Sequence, residues 1–232
     1  MFKVLLYSLF SSHKEYVLKE FITHTDKILA ESKDLDIDVD RLFIDNSPDP
    51  EFHKAYPDTL YLRKGKNIRE IMMHCDNMAR QRVIDEAYTH LFKLESDLFP
   101  PANIIPRLLM HEKLVVGCGY FIGHGNNARL LQSEIDMGRH RHSLQMQNRQ
   151  SFLSYNGKLQ PATQFGTGCI LVHKSILNNV KFRVNAFDDI HADSHFHYDV
   201  FMRGITSYID TSIVPFHINS DWDLIYNKEK KI

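Results

Sequence analysis

The chain has 232 residues, 43% of them hydrophobic, with 28 Lys and Arg against 29 Asp and Glu. This composition predicts a single folded domain, excludes a disordered chain, and lacks the basic excess that is typical of duplex-binding modules. The dispersed Cys75, Cys118 and Cys169 favour reduced thiols over a disulfide framework, and no apolar run reaches the roughly 20 residues of a membrane helix, so we expect a cytoplasmic protein without a transmembrane segment.

Strand and helix patterns alternate through the first half of the chain. In chain order they predict a strand at 3–10, a helix at 15–30, strands at 41–44 and 60–62, a helix at 67–89, a strand at 91–94, a helix at 102–111 and a strand at 114–122. Strands that alternate with helices of this length predict an α/β fold whose central sheet is mostly parallel and is flanked by helices.

The pattern changes after Gly123. Residues 124–161 are rich in Asn, Gln, His and Arg and have few regular apolar positions, so we predict a mobile insert over 123–164. Regular structure resumes with a glycine turn at 165–168 that leads into a strand, followed by a helix at 194–203 and a short strand near 208–209. The single domain therefore has two halves, 1–122 and 165–232, which the insert joins.

An acidic triplet, Glu95-Ser96-Asp97, follows a short apolar strand and precedes Pro100 and Pro101. Carboxylates at the end of a buried strand are costly unless they bind something positive. Their alternate spacing lets an extended chain direct both towards one ligand, and a hard divalent cation that carries phosphates fits this requirement. The alternative is a solvated acidic turn.

Three further polar clusters lie at the ends of predicted strands. They are Ser8 with Ser11 and Ser12, then Asp45-Asn46-Ser47, and Gly166-Thr167-Gly168 ahead of a later strand. Open α/β sheets bind ligands beyond the carboxyl ends of their strands. Together with the acidic triplet, these clusters predict a cleft along one edge of the sheet.

In these features the chain resembles the GT-A glycosyltransferases, particularly the family-2-like members. The resemblance covers most of the chain and rests on motifs in matching order, namely Asp45-Asn46-Ser47, Asn77-Met78-Ala79-Arg80, the acidic triplet with its two prolines, 115–119, 165–168, 188–193 and Pro215-Phe216-His217. It implies a metal-dependent transferase that moves a sugar, typically a hexose from a UDP-sugar, to a hydroxyl acceptor on a glycan, lipid, protein or modified base. Residues 1–122 would be the nucleotide-binding half, and residues 165–232 would carry the acceptor and metal-ligand positions.

The resemblance also implies roles for individual residues. Asp97 and His217 would ligate Mn²⁺ or Mg²⁺, and Glu95, which replaces the usual first Asp, would act through a water or a sugar hydroxyl. The donor-binding positions would be Ser8, Asp45, Asn77, Arg80, Glu95, Gly166 and Gly168. From the residues alone, Asp45 also suits a simple turn, Arg80 a solvated helix face, and His217 an ordinary core or surface histidine.

The candidates for the general base of an inverting transfer are Asp188, Asp189 and Asp193. Such a reaction needs a carboxylate to take the proton of the acceptor hydroxyl. Asp193 is the first candidate and Asp189 the second, although Asp193 also suits the N-cap of the helix at 194–203. A retaining transfer and a non-catalytic nucleotide-sugar binder stay open as alternatives. A nucleotidyltransferase would be expected to have a glycine-rich and lysine-rich loop after the first strand, and residues 8–14 contain no glycine.

Overall fold

The computed structural model describes residues 2–122, 129–130, 132–133, 157–162, 164–185 and 191–218. The strands are β1 (Phe2–Phe10), β2 (Ile37–Asp45), β3 (Leu60–Tyr61), β4 (His90–Leu94), β5 (Leu98–Phe99), β6 (Val115–Gly117), β7 (Phe121–Ile122), β8 (Arg129–Leu130), β9 (Gln132–Ser133), β10 (Leu159–Ala162), β11 (Gln164–Phe165), β12 (Cys169–His173), β13 (Ser207–Asp210) and β14 (Phe216–His217). The helices are α1 (Glu15–Lys33), α2 (Pro50–Ala55), α3 (Ile68–Asp85), α4 (Ile104–Leu109), α5 (Lys174–Asn179) and α6 (Ala192–Phe201), and a 3₁₀ turn covers Ser12–Lys14. No helix among these residues is both long and apolar enough to cross a membrane.

An eight-stranded sheet forms the centre of the fold, in the order β10-β13-β6-β12-β4-β1-β2-β3. β1 pairs in parallel with β2 and β4, and β2 pairs in parallel with β3. β12 is antiparallel to both of its neighbours, and β10 is antiparallel to β13, so these two strands run against the other six. The expected α/β fold with a mostly parallel sheet is confirmed.

Helices cover both faces of the sheet. The buried core on one face contains residues of α1 and α4, and the core on the other face contains residues of α3, α5 and α6. β1 contributes to both cores because alternate side chains of a strand point to opposite faces, with Leu6 in the first core and Leu5 in the second. Burial on both faces explains why the inner strands are mostly apolar in the sequence.

The elements differ from the sequence predictions mainly at their ends. α3 begins after an Asn67 cap whose side chain accepts the N–H of Glu70, but it ends at Asp85, four residues before Thr89. The predicted strand at 114–122 is divided into β6 and β7. The short helices α2 and α5 were not predicted. Both have six residues and few buried side chains, one in α2 and two in α5, whereas the equally short but predicted α4 has five; so few apolar positions give no recognisable period.

Gly117 is expected to tolerate no side chain. A Cβ built there would lie 2.6 Å from the Cys169 carbonyl oxygen and 2.6 Å from Cε2 of the buried Phe165. We expect Gly117→Ala to lower the free energy of unfolding by about 3 kcal/mol, because the obstructing carbonyl belongs to the adjacent strand. Urea denaturation would measure the loss. Gly157→Asn is the control, since a Cβ at Gly157 meets nothing within 4 Å and Asn tolerates its positive φ. Equal stability of the two variants would contradict the prediction.

Candidate functional site

The fold brings the four predicted polar clusters to one edge of the sheet. At the ends of β1 and β2, Phe10 is paired with Asp45, and the Asn46 N–H donates to the Phe10 carbonyl at 3.0 Å. The Glu95 N–H donates to the Gly168 carbonyl at 2.7 Å. Because β12 is antiparallel to β4, the glycine turn before it meets the carboxyl end of β4. The four clusters therefore lie along one edge of the sheet, as the sequence predicts.

The 3₁₀ turn after β1 connects two parts of this edge. The Ser12 N–H donates to Ser47 Oγ at 2.8 Å, beside Asp45. Two residues later, the Lys14 ammonium contacts Asp97 Oδ2 as an ion pair and hydrogen bond. One short turn thus touches both the end of β2 and the acidic triplet.

Asp97 and His217 form a pair, although they are 120 positions apart in the chain. β14 is antiparallel to β5, with His217 opposite Leu98, and this pairing brings His217 Nε2 to 3.2 Å from Asp97 Oδ2. Both side chains are enclosed, at 1% exposure for Asp97 and 9% for His217. The Ile218 N–H also donates to the Asp97 carbonyl at 2.9 Å, which secures the end of β14.

The chemistry of Asp97 suits a divalent cation. Its Oδ1 is buried and has no hydrogen-bond partner among the described residues, and such an oxygen is costly unless it meets a cation or a donor. In the described part of the chain no three His, Cys, Asp or Glu side chains are grouped to hold a metal. A carboxylate with one imidazole is nevertheless sufficient for an ion that takes its other ligands from phosphates and water, as Mg²⁺ commonly does.

Asp45 and Ser8 supply two further oxygens that are ready for a ligand. Asp45 is fully buried; its Oδ1 accepts the Ser47 N–H at 2.8 Å, and its Oδ2 lies 3.8 Å from His53 Nδ1 without a hydrogen bond. The buried Ser8 hydroxyl also has no hydrogen-bond partner within the described ranges. One Asp45 oxygen therefore serves the turn, as the simpler interpretation expected, while the other is left to a hydrogen-bond donor.

Glu95, Tyr120 and Asp193 lie around Gly168. A Cβ at Gly168 would lie 2.6 Å from Tyr120 Oη and 2.8 Å from Glu95 Cδ, so these groups leave no space for a side chain. Burial raises the pKa of Tyr120, and the nearby Glu95 and Asp193 carboxylates raise it further. The Tyr120 ring also meets the His217 ring edge-on at 5.7 Å. The acidic positions at 95 and 193 are thereby brought close to the Asp97 and His217 pair.

Asp193 is not a helix N-cap. α6 begins at Ala192 with His191 in the cap position, and Asp193 lies in the first turn, where its Oδ1 accepts the Ser194 N–H at 2.8 Å. The helix begins at Ala192, two residues before the predicted helix at 194–203, so the N-cap interpretation was wrong. Asp193 remains half-buried at the cleft. Asp189, the second candidate base, lies outside the described residues.

The sequence matches no family model and no curated protein. Solved structures match its fold. A197 from STIV is 12% identical, with a TM-score of 0.50 over 95% of this chain and 87% of that chain. GalNAc-T7, solved with UDP, GalNAc and Mn²⁺, is 10% identical, with a TM-score of 0.60 over 94% of this chain and 44% of that chain. This chain has a GT-A-like fold.

At these identities the similarity is one of fold. The chain spans less than half of the GalNAc-T7 chain that it matches, so activity has to be argued from its own residues. The GT-A-like architecture nevertheless accounts for the location of the polar cleft, because open α/β sheets bind ligands at this edge.

Asn77 and Arg80 hold the loop after α5. Asn77 Nδ2 donates to the Phe182 carbonyl at 2.7 Å, and its Oδ1 accepts the Phe182 N–H at 3.1 Å. Arg80 is only 6% exposed and its Nε donates to the Val180 carbonyl at 2.9 Å, so it is not on a solvated face. Phosphate binding by these two residues stays a prediction. The contacts seen here give them a structural task, which is to fix residues 180–182 against α3.

A buried ion pair beneath the cleft was not predicted from the sequence. Lys93 Nζ donates to Asp76 Oδ2 at 2.8 Å, and the Tyr7 hydroxyl donates to Asp76 Oδ1 at 3.0 Å. Both charged side chains are almost fully enclosed. Burial opposes the charge of Lys93, but Asp76, followed by Glu95 and Asp193, raises the pKa of the ammonium above its usual value. The only sequence signal was a lysine inside an apolar strand.

Two buried histidines are neutral in the folded protein. Burial lowers the pKa of His90 to about 4, and the adjacent His173 contributes to the decrease. Burial also lowers the pKa of His197 to about 4, against a smaller opposing effect of Asp193. His197 lies on α6, with its ring 4.4 Å from that of Phe165.

These histidines are expected to make the fold sensitive to acid. A histidine in an unfolded chain has a pKa of about 6.5, so between about pH 6.5 and 4 the unfolded chain binds more protons and stability falls as the pH falls. At about pH 5 each histidine would remove roughly 2 kcal/mol of the stability present at neutral pH. Urea denaturation across this pH range would measure how steeply the free energy of unfolding falls as the pH falls. His197→Gln should make this dependence weaker. An unchanged pH dependence in that variant would contradict a neutral, buried His197 in the folded protein.

Proposed function

We propose that this protein is a glycosyltransferase that moves a sugar from a nucleotide-diphosphate sugar, with a UDP-sugar as the first candidate, to a hydroxyl acceptor. The observation that carries the proposal is a set of three buried oxygens at the cleft edge of a GT-A-like sheet, Ser8 Oγ, Asp45 Oδ2 and Asp97 Oδ1, none of which has a hydrogen-bond partner in the described part of the chain. A protein leaves such groups unpaired at a cost. A ligand with donor groups at one end and a cation-bound diphosphate at the other would satisfy all three.

Each part of the donor has residues suited to it. Asp45 Oδ2 would accept a hydrogen bond from the nucleobase, and the Ser8 hydroxyl would donate to or accept from the nucleobase or the ribose. Asp97 and His217 would hold Mn²⁺ or Mg²⁺, and such an ion, when bound, neutralises the charge that develops on a departing diphosphate. Glu95 lies one residue beyond β4 beside Gly168, where it would accept a hydrogen bond from a sugar hydroxyl.

Asp193 is the proposed general base of an inverting transfer. The acceptor oxygen would attack the anomeric carbon while the bond from that carbon to the diphosphate oxygen breaks, and the acceptor proton would pass to the Asp193 carboxylate. Asp193 is half-buried beside Tyr120 and Lys93, which keeps it close to the cleft. Asp189 is the second candidate, and a retaining transfer or a non-catalytic donor-binding role are the alternatives.

A screen of nucleotide sugars with Mn²⁺ tests the class of protein. We expect one nucleotide-diphosphate sugar to raise the melting temperature, and the same compound to be hydrolysed slowly without an acceptor. Asp193→Asn should preserve the thermal shift and lose turnover, whereas Asp58→Asn, at an exposed position, should preserve both. No shift with any nucleotide sugar would reject the proposal, and full turnover by Asp193→Asn would reject the assignment of the base.

A further inference from the structure

Lys14 places a positive charge on one oxygen of Asp97, next to the Oδ1 that has no hydrogen-bond partner in the described part of the chain. Its ammonium contacts Asp97 Oδ2, the same oxygen that faces His217 Nε2 at 3.2 Å. The Lys14 side chain is 30% exposed, whereas Asp97 is only 1% exposed. A long, partly solvated side chain therefore supplies a positive charge to an enclosed carboxylate.

A lysine and a divalent cation compete for this carboxylate. A metal ion at Asp97 would place two like charges side by side, and their repulsion is strong where water is excluded. The buried environment equally penalises a bare Asp97 carboxylate. Repulsion therefore favours movement of the ammonium when a metal binds, and the charge of Asp97 favours its return when the metal leaves.

The 3₁₀ turn indicates where the ammonium would go. Ser12 of this turn is bound to Ser47, next to the proposed nucleoside pocket at Asp45, and Lys14 reaches the acidic triplet. The turn therefore connects the two ends of the proposed donor site, and the diphosphate of a bound donor would lie between them, within reach of Lys14. An ammonium is a good partner for phosphate as a mobile point charge on a flexible stem.

We propose that Lys14 is an exchangeable counter-ion of Asp97. In the empty protein its ammonium neutralises the carboxylate; when a nucleoside diphosphate enters with a divalent cation, the ammonium passes to a phosphate oxygen and leaves Asp97 to the metal. This inference rests on the proposed function. The exchange makes the metal and the nucleotide favour each other's binding. The phosphate takes the ammonium that would repel the metal, and the metal takes the carboxylate that would otherwise be left without a positive partner.

Binding of Mn²⁺ measured by the electron paramagnetic resonance of the free ion tests this without any turnover. The wild-type protein should bind Mn²⁺ weakly alone and about tenfold more tightly with UDP. Lys14→Met should bind Mn²⁺ alone about tenfold more tightly than wild type, with less gain from UDP. Lys19→Met, a substitution of the same type at an exposed position of α1, should behave as wild type. Thermal melting checks that each variant is folded.

The outcomes separate the two proposals. Equal Mn²⁺ affinity of wild type and Lys14→Met, with UDP synergy intact in both, would overturn the role of Lys14 and leave the glycosyltransferase proposal standing. An absence of Mn²⁺ binding in every variant, with and without UDP, would overturn the counter-ion role together with the metal dependence of the proposed function. The proposed exchange is supported if Lys14→Met, but not Lys19→Met, binds Mn²⁺ more tightly than wild type in the absence of UDP.

Discussion

Asp97→Asn is expected to lower kcat/KM for sugar transfer by about a thousandfold. The substitution keeps the size of the side chain but removes the charge that would hold a metal and its diphosphate, and groups of this kind contribute about a hundred- to a thousandfold or more. The fold should be affected much less. The Lys14 side chain is 30% exposed, so its ammonium can turn to water, and the amide can still face His217.

Initial rates over a range of Mn²⁺ and donor concentrations would measure the loss of kcat/KM. Thermal melting of the same samples would measure the effect on stability separately. The loss should not be recovered at high donor concentration, since the missing interaction acts on the leaving diphosphate as well as on binding. Asp58→Asn serves as the control because that side chain is exposed. A folded Asp97→Asn protein with near wild-type turnover would exclude Asp97 from the reaction.

Lys93→Met is expected to cause the largest loss of stability, about 3–5 kcal/mol in the free energy of unfolding. Removing one member of a buried ion pair leaves the other charge enclosed and uncompensated. Here the charge left behind would be Asp76, whose remaining partner is the Tyr7 hydroxyl at 3.0 Å. Methionine fills a similar volume, so the loss would report the charge rather than a cavity.

The double variant Lys93→Met with Asp76→Asn separates charge from packing. The uncharged amide that Asp76→Asn introduces would still accept the Tyr7 hydroxyl, so the double variant should be more stable than Lys93→Met alone. Urea denaturation of wild type, both single variants and the double variant would give the coupling. Lys54→Met, which removes an exposed pair with Glu51, should cost little. A double variant that loses the sum of the single losses would contradict the ion-pair account.

Most of the fold follows from local patterns. β1 and β4 are largely buried and read as mostly apolar runs, and the apolar stripe of α1 recurs with a helical period, so their positions are predictable from the sequence alone. The ends are not. α6 starts two residues before its predicted boundary, since Ala192 is a strong helix former and an acid such as Asp193 is favoured in the first turn, and that shift moves Asp193 from the cap into the first turn.

The acidic residues at the strand ends can be placed from the sequence, but the lysine side chains that contact acids cannot. The carboxyl ends of parallel strands must share an edge, which is why Asp45 and Asp97 can be placed from the sequence. The contacts of Lys14 with Asp97 and of Lys93 with Asp76 depend on how a turn or a helix lies over the sheet. Nothing in the residue pattern fixes that placement. Asn77 and Arg80 show the same limit, since polar side chains on a helix can face a ligand or a loop carbonyl equally well.

Because β12 lies between β4 and β6, the strands of the sheet cannot pair in the order in which they are synthesised. β4 and β6 are made first, yet they never touch each other, because residues 169–173 insert between them as an antiparallel strand. Until that strand has emerged, both edges carry unpaired backbone groups that can recruit another chain. In a nascent chain of residues 1–122, only β3, β2, β1 and β4 could pair as they do in the final sheet, because both partners of β6 are made later. Completion of this fold waits for a distant segment, a situation in which folding is slow and chaperones are most useful.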